Sequence, residues 1–195
     1  MKQRIRNILC LLRVLWILPG VHWKDQKLQK DLSRWQKQLT LTGKPAFVLA
    51  QLLANHREFR NLFIYRNRER IFYSRWVRLL YPPVNTLFIE AGEIGGGLFI
   101  QHGFSTMIAA HSIGENCWVN QQVTIGYKDN TQPPIIGNDV VITCGAKVLG
   151  NITVGDGAVI GANAVVIKDV EPYAVMVGIP AKVLKWREKN DNQQG

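Results

Sequence analysis

The sequence predicts a mainly β protein, a coil of short strands built from six-residue units and preceded by a basic α-helical region. Three observations carry this. Aliphatic residues recur every six positions in the second half, at Ile113, Val119 and Ile125 and again at Ile136, Ile142, Val148, Val154, Ile160 and Val166. Of the 17 glycines, 2 precede residue 88 and 15 follow it, so only the second half must turn its backbone often and tightly. Charge divides at the same place. Residues 1–88 hold 17 basic and 4 acidic side chains, a balance of +13, while residues 89–195 hold 7 and 10, a balance of −3, and together they make the net +10.

With 195 residues and 47% hydrophobic content the chain can bury a real core, which excludes disorder as the default. The expected organisation is a basic helical region over 1–84, a β-coil over 85–187 and a polar tail over 188–195. Cys10, Cys117 and Cys144 are odd in number and lack a CxxC spacing, which argues against a disulfide framework or a zinc ribbon and favours a reducing compartment. The apolar run from Ile8 to Leu18 follows a basic start but is interrupted by Arg13, has no small-residue cleavage site after it, and is well short of the roughly 20 residues of a membrane-spanning helix. It reads as a packed amphipathic helix, with an in-plane membrane or partner-docking helix and a cleaved signal as the alternatives.

From Lys24 to Leu80 the pattern is helical. Leu28, Leu32, Trp35 and Leu39 fall at spacings of three and four, Gly43 and Pro45 break the run, and a second run over Phe47, Val48, Leu52, Leu53, Phe59, Leu62 and Phe63 continues until Pro82 and Pro83 end it. The arginines between Arg57 and Arg78 invite a nucleic-acid reading. No nucleic-acid fold signature accompanies them, so they read as the solvated face of amphipathic helices and nucleic acid is not an expected partner.

The six-residue period is the most informative feature of the sequence. It fits neither a helix of 3.6 residues per turn nor a long two-residue alternation. It fits short strands joined by tight turns, as in IGENCW, ITCGAK, VGDGAV and IGANAV, where a small or short residue follows most leading aliphatics. Three such units make one turn of a triangular coil of about 18 residues, with the aliphatic side chain inward and the backbone paired to the coils above and below. Ile94 and Ile100 begin the rhythm, a one-residue slip precedes Ile113, and the 11-residue step from Ile125 to Ile136 implies a loop.

These repeats resemble those of the hexapeptide-repeat acyltransferases, which implies a left-handed parallel β-helix assembled as a homotrimer. The resemblance rests on GGGLFIQHG around His102, NQQVTIG ending at Gly126, CGAKVLGNITVGDGAVIGANAVV from Cys144 and VGIPAKVLKW from Val177. In pattern it is nearest to the serine acetyltransferases and similar polysaccharide O-acetyltransferases. Acyl transfer to a hydroxyl needs a base with a pKa near the operating pH, and His102 stands where the family's catalytic histidine is found. Its orienting aspartate would fall at Leu87, so the candidate partner is Glu90. His111 reads as an exposed turn residue.

The serine acetyltransferases also place an aspartate directly before the histidine and an Arg-His pair before a proline in the following loop. Here those positions are Gln101 and, within GYKDNTQPP, Thr131 and Gln132. Neutral Gln101, Asn120, Gln121 and Gln132 suit a carbohydrate hydroxyl better than a zwitterion that loses its charged partners. For the acetyl-CoA donor the resemblance implies Gly126, Tyr127, Cys144, Gly145, Gly161 and Ala162 along the pantetheine arm, with Lys168 and Lys182 toward the phosphates. No metal is expected, because the β-helix carbonic anhydrases need three histidines and this half offers His102 and His111.

The expected function is therefore an acetyl-CoA-dependent O-acetyltransferase acting on a carbohydrate. The alternatives are a serine O-acetyltransferase, a non-catalytic trimeric scaffold, and a module that binds a nucleotide sugar or acyl carrier. The expected location is the cytoplasm, with the basic region making peripheral contact with an anionic membrane at its inner face.

Overall fold

The computed structural model describes residues 12–129 and 132–188. The chain divides into two compact units, Met1–Asn85 and Thr86–Gly195.

The first unit contains helices α1 (Gln26–Gln38), α2 (Pro45–Asn55), α3 (Arg57–Arg66) and α4 (Ile71–Leu80), with a short 3-10 turn at Leu18–Gly20. Asp25 starts α1 by accepting the Lys27 N–H at 2.8 Å, and Pro45 starts α2 at a position where its missing N–H costs nothing. The expected second helical run is interrupted at His56, whose extended backbone separates α2 from α3. That break lets both helices bury an apolar face. Trp35 meets Phe59 edge-on at 5.2 Å between ring centroids, and Phe59 stacks on Phe63 at 6.2 Å. Burying each such ring contributes about 2–3 kcal/mol. Within the described part of the Ile8–Leu18 run, Val14 and Ile17 are buried while Leu12, Leu15 and Trp16 are exposed. Residues 8–11 lie outside the described residues, as does Cys10.

Arg60 and Arg66 depart from the expected solvated face, whereas Arg57, Arg68, Arg75 and Arg78 are exposed as expected. Arg66 makes a two-pronged ion pair with Asp31 at 2.8 and 3.1 Å, and both side chains are buried. Arg60 donates to the carbonyls of Leu53, Ala54 and Pro82, and Arg57 to that of Pro83. Their fixed fork of donors closes the end of α2 and ties down the Pro82–Pro83 segment. Arg75 and Arg78 alone among α4's residues keep the expected exposed, basic character.

The second unit is a parallel β-helix with three sheets. Sheet A stacks β1 (Leu87–Ile89), β4 (Thr106–Ile108), β7 (Thr124–Gly126), β10 (Lys147–Leu149) and β13 (Val165–Val166); sheet B stacks β2 (Glu93–Ile94), β5 (Ser112–Ile113), β8 (Ile135–Ile136) and β11 (Thr153–Val154). Sheet C stacks β3 (Phe99–Ile100), β6 (Trp118–Val119), β9 (Val141–Ile142), β12 (Val159–Ile160) and β14 (Ala174–Val177), and ends in β15 (Lys182–Trp186), which pairs antiparallel with β14. The chain runs A, B, C in every coil, so three corners recur. All nine phased aliphatic residues are inward and at most 3% exposed.

Two corners repeat a left-handed backbone position down the stack. Between sheets B and C it is held by Gly97, Asn116, Asp139, Gly157 and Tyr173, and between sheets C and A by Ser105, Gln122, Gly145 and Asn163. Glycine, Asn and Asp tolerate this region, which suits them to the third position after the leading aliphatic in most units.

The structure also resolves the one-residue slip. Ile100 to Ile108 spans eight residues where Val119 to Ile125, Ile142 to Val148 and Ile160 to Val166 each span six, while Ile108 to Ile113 spans five. The slip is thus two residues added at one corner and one removed at the next. The insertion falls on His102.

Candidate active site at the C–A corner

Sheet C feeds sheet A through a corner whose backbone repeats coil by coil. The N–H groups of Gln101, Asn120, Thr143 and Gly161 donate to Val119, Ile142, Ile160 and Met176 carbonyls at 2.8–3.0 Å, so these four residues occupy one column. Gln121, Cys144 and Ala162 follow them by one position, and Gly145 lies one further on. The column's side chains are uncharged. The Gln121 Oε1 atom is buried at this corner without a hydrogen-bond donor among the described residues.

In the first coil the two extra residues push the corner outward. His102 is exposed with φ 61°, Gly103 follows with φ 22°, and the Phe104 N–H donates back to the His102 carbonyl. A left-handed histidine costs on the order of 1 kcal/mol, so its surroundings must hold it. They do. The Phe104 carbonyl accepts the Gln122 N–H at 3.0 Å, and the Thr106 hydroxyl is shared between the Phe104 carbonyl at 3.2 Å and the Asn120 carbonyl at 3.4 Å. Thr106 is 1% exposed, and its N–H donates to Thr86 O at 3.0 Å. Sequence reading passed over Thr106; a hydroxyl at a position otherwise flanked by inward aliphatics was the available signal.

The expected site residues fall at two corners. Gln101, His102, Asn120, Gln121, Cys144, Gly145, Gly161 and Ala162 share the C–A corner. Exposed Lys182 pairs with Val177, next to the end of the same column. Glu90, Tyr127, Gln132 and Lys168 lie instead at the A–B corner, beyond the far ends of the sheet A strands, and Gly126 closes β7 there. Glu90 therefore does not stand beside His102 within one chain: strand β4 lies between the two corners. Leu87, at the position of the missing aspartate, is buried and pairs with Thr106. His111 is exposed at the A–B corner, its N–H bonded to Pro134 O at 2.8 Å. Thr131 lies outside the described residues.

Residues 133–168 match the family model described as bacterial transferase hexapeptide (six repeats). Among proteins similar in sequence, a serine acetyltransferase of Bacillus pumilus (strain SAFR-032) is 44% identical over 107 residues, covering 53% of the chain and 49% of the relative. The chain spans about half the length of the curated relatives it matches.

The fold is shared with solved serine acetyltransferases. One from Brucella abortus strain S19, solved in complex with coenzyme A, superposes with a TM-score of 0.66 at 21% identity, covering 91% of this chain and 74% of that one. Another, from Neisseria gonorrhoeae in complex with serine, gives a TM-score of 0.63 at 24% identity, covering 82% and 68%. These likenesses reach beyond the β-helix into the helical unit, so the mainly β architecture behind an α-helical region is common to all three.

Proposed function

We propose that the protein is an acetyl-CoA-dependent O-acetyltransferase with His102 as its general base. The observation that carries this reading is the two-residue insertion that lifts His102 out of the C–A column and is pinned by Thr106 and Gln122. The imidazole takes the acceptor's hydroxyl proton as the oxygen attacks the thioester carbonyl. A tetrahedral intermediate forms, its collapse expels the coenzyme's thiolate, and the imidazolium returns the proton to that sulfur. The relatives' names and the coenzyme-bound neighbour support acetyl-CoA as donor, with Gly145, Gly161 and Ala162 at the same corner as His102.

For the acceptor, the relatives favour L-serine. A carbohydrate hydroxyl is a second reading, supported by the neutral column of Gln101, Asn120, Gln121 and Thr143, which offers no charge to an amino acid. The proposal includes a homotrimer, in which the A–B corner of one copy, with Tyr127, Gln132 and Lys168, faces the C–A corner of the next across a shared groove. It also includes a cytoplasmic location and peripheral contact of the basic helical region with an anionic membrane.

A thiol-release assay with acetyl-CoA decides the acceptor. L-Serine used with a kcat/KM above about 10⁴ M⁻¹s⁻¹ establishes the first reading, and release with a mono- or oligosaccharide but not with serine establishes the second. Absence of any acetyl-CoA-induced rise in the unfolding midpoint overturns the donor and leaves a scaffold.

A further inference from the structure

We infer that the outer face of α4 is the surface that docks on an anionic lipid bilayer. The inference rests on the peripheral contact proposed above and not on the catalytic reading. Helix α4 is unusual in what it leaves outside. Val77 is its one buried residue, whereas Phe72 is 89% exposed, Leu79 71%, Ile71 58% and Trp76 43%. At 100° per residue Phe72, Trp76 and Leu79 form a single stripe, and Val77 points away from it. Arg75 and Arg78 run along one side of that stripe and are exposed, with no ion-pair partner among the described residues. A shallow hollow of about 390 Å³, lined by Glu69, Arg70, Ile71, Phe72 and Tyr73, opens at the helix's start.

Further apolar surface joins the same end. The Tyr73 hydroxyl donates to Ile17 O at 2.9 Å and Arg70 to Gly20 O at 2.5 Å, tying α4 to the segment that exposes Leu12, Leu15 and Trp16. Aromatic and aliphatic side chains bordered by arginines are the composition that seats a helix in the plane of a headgroup layer. No helix among the described residues is long and apolar enough to cross a membrane. Charge selects the occupant. Arg75 and Arg78 on this face, within a region whose balance is +13, favour phosphatidylserine or other anionic headgroups over a second copy of the same face.

The test is co-sedimentation of the full chain with phosphatidylcholine vesicles, with and without phosphatidylserine, at low and high salt. Binding is expected only with phosphatidylserine and is expected to weaken in salt. Arg75→Gln with Arg78→Gln should weaken it about fivefold per arginine. Phe72→Ser with Trp76→Ser should weaken it about tenfold or more, with the thiol-release rate unchanged because neither side chain belongs to the C–A corner.

If the wild-type chain ignores anionic vesicles, the peripheral contact and this surface both fall. If it binds and neither double variant differs from it, this surface alone is wrong. If Phe72→Ser with Trp76→Ser instead lowers the mass measured by light scattering while vesicle binding persists, the face is an interface between copies, and the inference is overturned.

Discussion

Gln101 and Asn120 occupy the same corner position one coil apart, each anchored by its own N–H to the coil beyond, at 2.9 and 3.0 Å. Their side chains therefore stand in a row with Thr143 beside the insertion that carries His102. On the proposed function, this neutral row is what borders an acceptor placed at His102.

Replacing His102 with alanine should lower turnover by about two to four orders of magnitude, the usual contribution of a general base. Acetyl-CoA affinity, measured by calorimetry, should remain. Turnover near that of the wild type would remove His102 from the mechanism.

Thr106→Val preserves shape but removes the hydroxyl shared by the Phe104 and Asn120 carbonyls. Stability should fall by about 1 kcal/mol in urea unfolding. Turnover should fall about tenfold, with the KM for acetyl-CoA unmoved, because the loss is in the placement of His102 and not in the donor groove. A shift in KM alone would show that Thr106 serves the donor site instead.

Arg66→Met should cost about 3–5 kcal/mol, since it removes the two-pronged ion pair from the buried Asp31 carboxylate. Adding Asp31→Leu should recover much of that loss, because an apolar pair needs no desolvated charge. If the double variant is no more stable than the single one in thermal melts, the pair is not the source of the penalty.

Burial holds the His56 imidazole below its ordinary 6.5, with Arg60 acting in the same direction and Glu58 opposing. Between the lowered value and 6.5 the unfolded chain binds a proton that the folded chain does not. The resulting stability is complete above about 6.5 and is lost as pH falls toward the folded value. Denaturant midpoints measured from pH 7.5 down to 5 should drop less steeply in His56→Gln than in the wild type, a window set around the ordinary histidine pKa. Parallel curves would show that another group carries the acid sensitivity.

Much of the fold was legible because it is periodic. A six-residue repeat with inward Ile and Val commits every coil to the same turn geometry, and Asn, Asp and Gly at the corners announce the left-handed positions. The helices were legible from the spacing of Leu28, Leu32 and Trp35, and His102 from its motif.

What only the tertiary structure decided is how aperiodic positions resolve. A net slip of one residue has many solutions, and backbone pairing between Ile108 and Ile125 selects the one that places both extra residues at His102. The same pairing sends Glu90 to a different corner, which linear distance from His102 cannot show. Arg60 and Arg66 belong by sequence to a solvated face, yet carbonyls at the end of α2 and the Asp31 carboxylate draw them inward, because a buried helix end and a buried charge must find donors. Spacing along a chain specifies which face a residue shares; which groups meet across the fold depends on partners supplied by distant segments.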